Sequence, residues 1–279
     1  MVVSYLSYLK ATRKSENTIR SYTKNIQKML DTIGKNEEDI VYSDLVDYQA
    51  SLSNLSANSV RLHIAAIQSY FGYLYKSNVI QFNPANSLEK PKANPKVKPY
   101  MTEGMIKAMV AHARTSRDRA IVDCICSTGV RISELVNITL EDYYKARYDS
   151  REIVILGKGD KERVIYLNDE LIELIDIYLK DRGSTSCPYL FSSFQDGQIH
   201  SNNLSQTLKN IAKRAGIPFW EDISNHTLRA AFATIASEKN VPVATIKDAM
   251  GHASIATTSI YIKNSQRNIN RAMECMCFS

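Results

Sequence analysis

The chain has 279 residues, 44% of them hydrophobic and 23% charged, with a formal net charge of +6. No stretch approaches the ~20 apolar residues that a bilayer span requires. The opening Met1-Val2-Val3-Ser4-Tyr5 lacks the charged n-region of a signal peptide, so a cytoplasmic protein with no membrane partner is expected. The length fits one large or two moderate domains.

Residues 1–83 read as a helical domain. Ile19, Tyr22, Ile26, Met29 and Leu30 recur at helical spacing behind an N-cap at Ser15. A second helix carries Val60, Ile64, Ile67, Phe71 and Leu74 on one face, with Arg61, His63 and Gln68 on the other. Four of the seven prolines then fall between Pro84 and Pro99, where they forbid a continuing helix and stiffen the chain. Lys90, Lys92, Lys96 and Lys98 alternate with them, so 84–100 reads as a basic linker. Residues 1–100 hold 13 Lys+Arg against 8 Asp+Glu, a net of +5, and residues 101–279 hold 22 against 21, a net of +1. The excess therefore lies where a polyanion could be tracked.

Residues 101–279 read as mainly helical with one β-hairpin. The β-branched runs Glu152–Leu156 and Arg163–Leu167 flank the Gly157-Lys158-Gly159-Asp160-Lys161 turn. Leu204, Leu208, Ile211, Ala212 and Ala215 mark an amphipathic helix with Lys209, Lys213 and Arg214 off its apolar face. Beyond residue 265, Ile269, Ala272, Met273, Met276 and Cys277 form an apolar helical stripe. The fold class expected is mainly α with a small β-sheet in the second domain. Of the five cysteines, Cys124/Cys126 and Cys275/Cys277 are far apart in sequence without neighbouring histidines, so a zinc site is not expected.

Six residues make one chemical constellation: Arg131, Lys158, His226, Arg229, His252 and Tyr261. They sit in Thr128-Gly129-Val130-Arg131-Ile132-Ser133-Glu134-Leu135, the hairpin turn, His226-Thr227-Leu228-Arg229, Gly251-His252, and at Tyr261 nine residues on. Two arginines can grip phosphate oxygens as forks. A tyrosine can attack phosphorus. Histidines and a lysine can move protons. No carboxylate cluster with metal-ligand spacing accompanies them, so no metal or other cofactor is expected.

In order and wording these motifs resemble the tyrosine recombinase (phage integrase) family, over roughly residues 120–265, with the N-terminal part matching by organisation. The resemblance implies a helical core-binding domain and an α+β catalytic domain over 101–279, and the 84–100 linker between them is either a basic strap across DNA or a solvated connector. Lys14, Arg20, Lys24, Arg61 and the four linker lysines are then candidate DNA contacts. It implies that Tyr261 attacks the phosphodiester and His226 accepts its proton. His252 donates to a phosphate oxygen and Lys158 protonates the leaving 5′ oxygen, while Glu134, one turn beyond Arg131, orients structure or a basic side chain. The partners implied are double-stranded DNA with paired half-sites and a homo-oligomer, a tetramer in synapsis, with the terminal stripe docking on a neighbouring protomer where the residues alone equally allow it to pack back on its own domain. The target sequence and any regulatory protein partner stay open. One departure is Ala230, where many members carry histidine after the His-x-x-Arg arginine. With no room for an extra arm-binding domain before the helical one, the chain is most like the compact Xer group, which implies chromosome dimer resolution. The alternatives are a mobile-element integrase or invertase of the same family, a type IB topoisomerase, or a non-catalytic DNA-binding protein.

Overall fold

The computed structural model describes residues 2–92, 101–157, 162–193, 195, 197–252, 254–255 and 258–259. The chain divides into two compact units, 1–96 and 97–279. Among the described residues no helix is long and apolar enough to cross a membrane.

Among its described residues the first unit has four α-helices, α1 (Val2–Ala11), α2 (Glu16–Ile33), α3 (Tyr42–Ser51) and α4 (Ala57–Lys76). Ser15 caps α2, its hydroxyl accepting from Thr18 N, and Gly34 in the left-handed region closes it. Ile19, Ile26 and Met29 of α2 and the whole expected stripe of α4 are buried together with Tyr5, Leu9, Leu45 and Tyr48. Burial of this apolar surface drives the bundle together. The core is also aromatic: Tyr5 meets Tyr70 edge-on at 5.0 Å between ring centres. Their hydroxyls are satisfied, Tyr5 donating to Ser69 Oγ (2.8 Å) and Tyr70 to Glu37 Oε1 (2.8 Å). His63 is not on the outer face of α4 as expected. It is buried beside Tyr48, with Nδ1 2.9 Å from the phenol oxygen. A wide apolar face takes in a histidine when its ring nitrogen finds a partner, and burial followed by the charge of Lys28 lowers its pKa.

The stretch expected as a linker is divided. Ala85 and Leu88 are buried in the first unit's core. Backbone carbonyls there accept from α3 and α4: Leu88 O from Gln68, Glu89 O from Gln49 and Pro91 O from Arg61. Residues 93–100, with Lys96 and Lys98, lie outside the described residues.

The second unit contains α5 (Glu103–His112), α6 (Ser116–Thr128), the short α7 (Ile132–Leu135), α8 (Leu140–Tyr148), the strands β1 (Glu152–Leu156) and β2 (Glu162–Tyr166), then α9 (Asp169–Arg182), α10 (Ser201–Arg214), α11 (Asn225–Glu238) and α12 (Val243–Met250). Helix α6 is central: Ala120, Ile121, Val122, Cys124 and Ile125 are all buried, and it packs against α5, α9 and α11. The strands form an antiparallel hairpin with Val154 opposite Val164 and Ile155 opposite Arg163. Ile153, Ile155 and Ile165 face the core, while Val154, Leu156, Val164 and Tyr166 are exposed. The hairpin contacts α8 through β1 and α12 through β2. The second strand begins at Glu162, one residue earlier than its β-branched run suggests.

Candidate active site

The site is built where three helix ends meet. Helix α6 ends at Gly129, whose φ of +64° places it in the left-handed region and whose N–H bonds Ile125 O. A side chain there would also collide with the ring of Phe232, 2.7 Å from its Cδ1. Glycine thus lets the chain reverse and start α7, with Arg131 as its first capping residue. Helix α12 ends the same way: Gly251 has φ +61°, and His252 N bonds Lys247 O. The third end is the start of α11, capped by the Ser224 hydroxyl. It places Arg229 on the second turn.

These ends are tied by arginine side chains. Arg131, 26% exposed, donates from Nη1 to Glu134 Oε1 (2.8 Å) and from Nη2 to Gly251 O (2.9 Å), across 120 residues of sequence. Its backbone N–H donates to Glu134 Oε2 (2.7 Å). Arg229 is only 4% exposed and donates to Gly129 O and Met250 O, so one guanidinium holds the α6 end and the α12 end together. The carbonyl acceptors fix the direction of both guanidinium groups and bring no formal charge of their own.

His252 is half-buried at the same place, with Nδ1 2.9 Å from Thr258 Oγ1. Its pKa is pushed down to about 4, first by burial and then by the positive charges of Arg229, Arg131 and Arg163. At neutral pH it is an uncharged imidazole that can donate or accept but carries no charge. His226 lies one turn before Arg229 on α11 but is exposed where Arg229 is buried. A step of three residues leaves about 60° between side chains, which accounts for the different depths.

The structure therefore brings together Arg131, Arg229 and His252, with His226 at the rim of α11. Lys158 belongs to the loop between β1 and β2, and both it and Tyr261 lie outside the described residues, as does the apolar stripe from Ile269 to Cys277. Among the described residues no group of three or more His, Cys, Asp or Glu could hold a metal ion. In the first unit Lys14, Arg20, Lys24, Lys90 and Lys92 are exposed, with Arg20 and Lys24 one turn apart on α2. Arg61 is half-buried and spends Nη1 on Pro91 O (3.0 Å).

One side chain of this cluster lies outside the constellation expected from the sequence. Arg163, on β2, is 8% exposed at its side chain and donates from Nη2 to Glu134 Oε2 (2.5 Å) and from Nη1 to Ala249 O (3.1 Å). The signal was available in the alternation of the strand. Arg163 occupies a core-facing position two residues from Ile165, where a charge demands a buried partner.

Comparison with known proteins agrees with this architecture. Residues 99–268 match the Phage integrase family, and residues 2–78 match the Phage integrase, N-terminal SAM-like domain. The chain is 32% identical to tyrosine recombinase XerA of Pyrococcus horikoshii, over 97% of this chain and 91% of the relative. It is 30% identical to tyrosine recombinase XerD of Rickettsia conorii, over 98% and 96%. The crystal structure of XerA recombinase aligns with 100% of this chain and 98% of its own, at 26% identity and a TM-score of 0.58. The chain belongs to the phage integrase family and is an Xer-like tyrosine recombinase, an enzyme of site-specific DNA cleavage and rejoining.

Proposed function

We propose that Arg131, Lys158, His226, Arg229, His252 and Tyr261 form the reacting set, and that the chain recombines paired half-sites as a homotetramer on duplex DNA in the cytoplasm, in chromosome dimer resolution. The observation that carries this reading is the convergence of Arg131, Arg229 and His252 through Gly129, Met250 and Gly251, although the sequence holds them far apart. A phosphodiester is anionic, so an attacking phenolate meets like charge. Fixed guanidinium groups offset that charge in the pentavalent transition state, where arginine contacts are worth ~10³–10⁵ in rate.

The Tyr261 oxygen bonds to phosphorus as the bond from phosphorus to the 5′ oxygen breaks. The phenol, with a reference pKa of about 10, gives its proton to His226, and Lys158 protonates the departing 5′ oxygen. His252, neutral at pH 7, donates a hydrogen bond to a non-bridging oxygen. The 3′-phosphotyrosyl link conserves the energy of the bond. A 5′-hydroxyl from the partner duplex reverses the step without ATP. The exposed Arg20 and Lys24 of α2, with Lys14, Lys90 and Lys92, lie along the DNA backbone, and Lys96 and Lys98 continue that contact.

The test uses nicked half-site DNA in excess EDTA, read on denaturing gels for a covalent adduct and for joining to a second duplex. Wild-type protein is expected to do both, and Tyr261→Phe neither, while still shifting the half-site in native gels. Adduct from Tyr261→Phe removes Tyr261 as the nucleophile. Adduct without joining indicates a relaxing rather than a recombining enzyme, and no adduct from wild type indicates a binding protein.

A further inference from the structure

We propose that Arg163 is a positioning residue for strand cleavage: it fixes Arg131 through Glu134 and the Gly251–His252 turn through Ala249, and so registers the hairpin that carries Lys158 on the arginine–histidine cluster. This rests on the reading of Arg131, Lys158 and His252 as reacting groups.

Three observations converge on it. Glu134 is the shared anchor: its side chain is 4% exposed, Oε1 accepts from Arg131 Nη1, and Oε2 accepts from both Arg131 N and Arg163 Nη2. Glu134 thus divides its charge between two guanidinium groups. Without Arg163 the whole carboxylate would act on Arg131 and turn its donors away from a phosphate. The second observation is the bond from Arg163 Nη1 to Ala249 O at the end of α12. It pins the turn whose next residues are Gly251, the acceptor for Arg131, and His252. The third is close packing. A Cβ on Gly251 would stand 2.7 Å from Arg163 Cδ, 2.9 Å from Arg163 Nε and 3.6 Å from Arg131 Nη1. Gly251 lacks a side chain where the two arginines pass.

Arg163 is the second residue of β2, and the loop bearing Lys158 joins β1 to β2. The foot of that loop is therefore fixed to the same carboxylate that fixes Arg131. The task needs a fork. One nitrogen reaches Glu134 and the other Ala249, and a lysine ammonium is a single point that cannot span both. Arg163 itself is sealed in and does not touch the substrate: Nε is buried and has no hydrogen-bond partner among the described residues.

The experiment compares wild type, Arg163→Lys and Arg163→Met as full chains on two nicked half-sites, one normal and one with sulfur as the bridging 5′ leaving atom. Thermal melting and half-site affinity are measured alongside. Both variants are expected to bind half-sites within about threefold of wild type. A misplacement of about 1 Å can cost ~10²-fold, so normal cleavage should fall by about that factor, with the lysine giving no rescue. Sulfur needs no proton, so the loss on that substrate should be about tenfold smaller. Cleavage within threefold of wild type by either variant would overturn the proposal. So would equal losses on both substrates matched by an equal loss of affinity, the mark of a merely structural residue. Should Arg163→Met not melt cooperatively, Arg163→Gln takes its place, and failure of all three to fold also assigns Arg163 to structure alone. Arg131→Ala is run in parallel. If it cleaves normally, the reading of the reacting set is what fails.

Discussion

Glu134→Gln removes the one negative charge that Arg131 and Arg163 share. The amide keeps the shape of the side chain but replaces an accepting oxygen with a donor that faces a guanidinium donor. Three bonds are affected: Arg131 N to Oε2 (2.7 Å), Arg131 Nη1 to Oε1 (2.8 Å) and Arg163 Nη2 to Oε2 (2.5 Å). Breaking a buried ion pair by removing one partner costs about 3–5 kcal/mol. Arg131 is 26% exposed, so water screens part of the loss, and the lower end applies. For a unit of 150–250 residues each kcal/mol is worth about 2–4 °C, so roughly 3 kcal/mol lowers Tm by about 6–12 °C. Differential scanning calorimetry of the full chain measures this on the transition of unit 97–279. Covalent adduct formation at a temperature where the variant is folded should fall as well. A drop in Tm below about 2 °C would refute the reasoning, because it would mean that the two guanidinium groups do not depend on this carboxylate.

Asp123, on α6, has its carboxyl raised to about 6, first by burial and then by the negative charge of Glu170, with Ser127 opposing. Its Oδ2 is buried with no partner among the described residues. A raised folded-state value means that the native state binds the proton more tightly, so the contribution is present below pH 4 and lost as pH rises through 6. Asp123→Asn should therefore stabilise by up to about 3 kcal/mol at pH 8 and by little at pH 4, read from urea melts at both. An equal gain at both pH values would contradict this. Gly129→Ala forces a side chain at φ +64° and against Phe232, at about 1–2 kcal/mol for the backbone and 1–3 for the collision. Adding Phe232→Ala should relieve only the second part in a double-mutant cycle. Lys158→Ala should slow cleavage of normal DNA by ~10²–10⁴ and barely affect a sulfur leaving group. Equal losses would make Lys158 a phosphate contact rather than an acid.

Local signals in the sequence were those that a single element satisfies by itself. Ser15 caps α2 because its hydroxyl has only to reach Thr18 N three residues away. The α4 stripe is buried in full because one face of a long helix is set by spacing alone. The order of Arg131, His226, Arg229 and His252 was legible as chemistry, and so was Glu134 as a partner for a basic side chain, but not the other ties. Those run through main-chain carbonyls of Gly129, Met250 and Gly251, and every residue carries a carbonyl, so no residue type announces them. His63 was misplaced because an imidazole counts as polar until a phenol such as Tyr48 is near, and that phenol comes from another helix. Ala85 and Leu88 were hidden among prolines and lysines, although two apolar residues suffice to lay a short irregular stretch on a core.

The bonding of the cluster also decides where its charge comes from. A guanidinium carries a fixed positive charge, and the single carboxylate of Glu134 is shared between Arg131 and Arg163. Gly129 O, Met250 O, Ala249 O and Gly251 O are dipoles that aim the guanidinium groups and bring no formal charge. The same field acts on His252. With its pKa near 4, it adds no charge at neutral pH, and its hydrogen bond to Thr258 through Nδ1 holds the orientation of the ring. The arginines thus hold a constant positive potential for an anionic phosphate, and the histidine contributes direction rather than charge. Like charges held this close repel, and the backbone bonds at the ends of α6 and α12 resist that repulsion. An arriving phosphate meets donors already oriented, so little reorganisation is left for the moment at which charge builds on phosphorus.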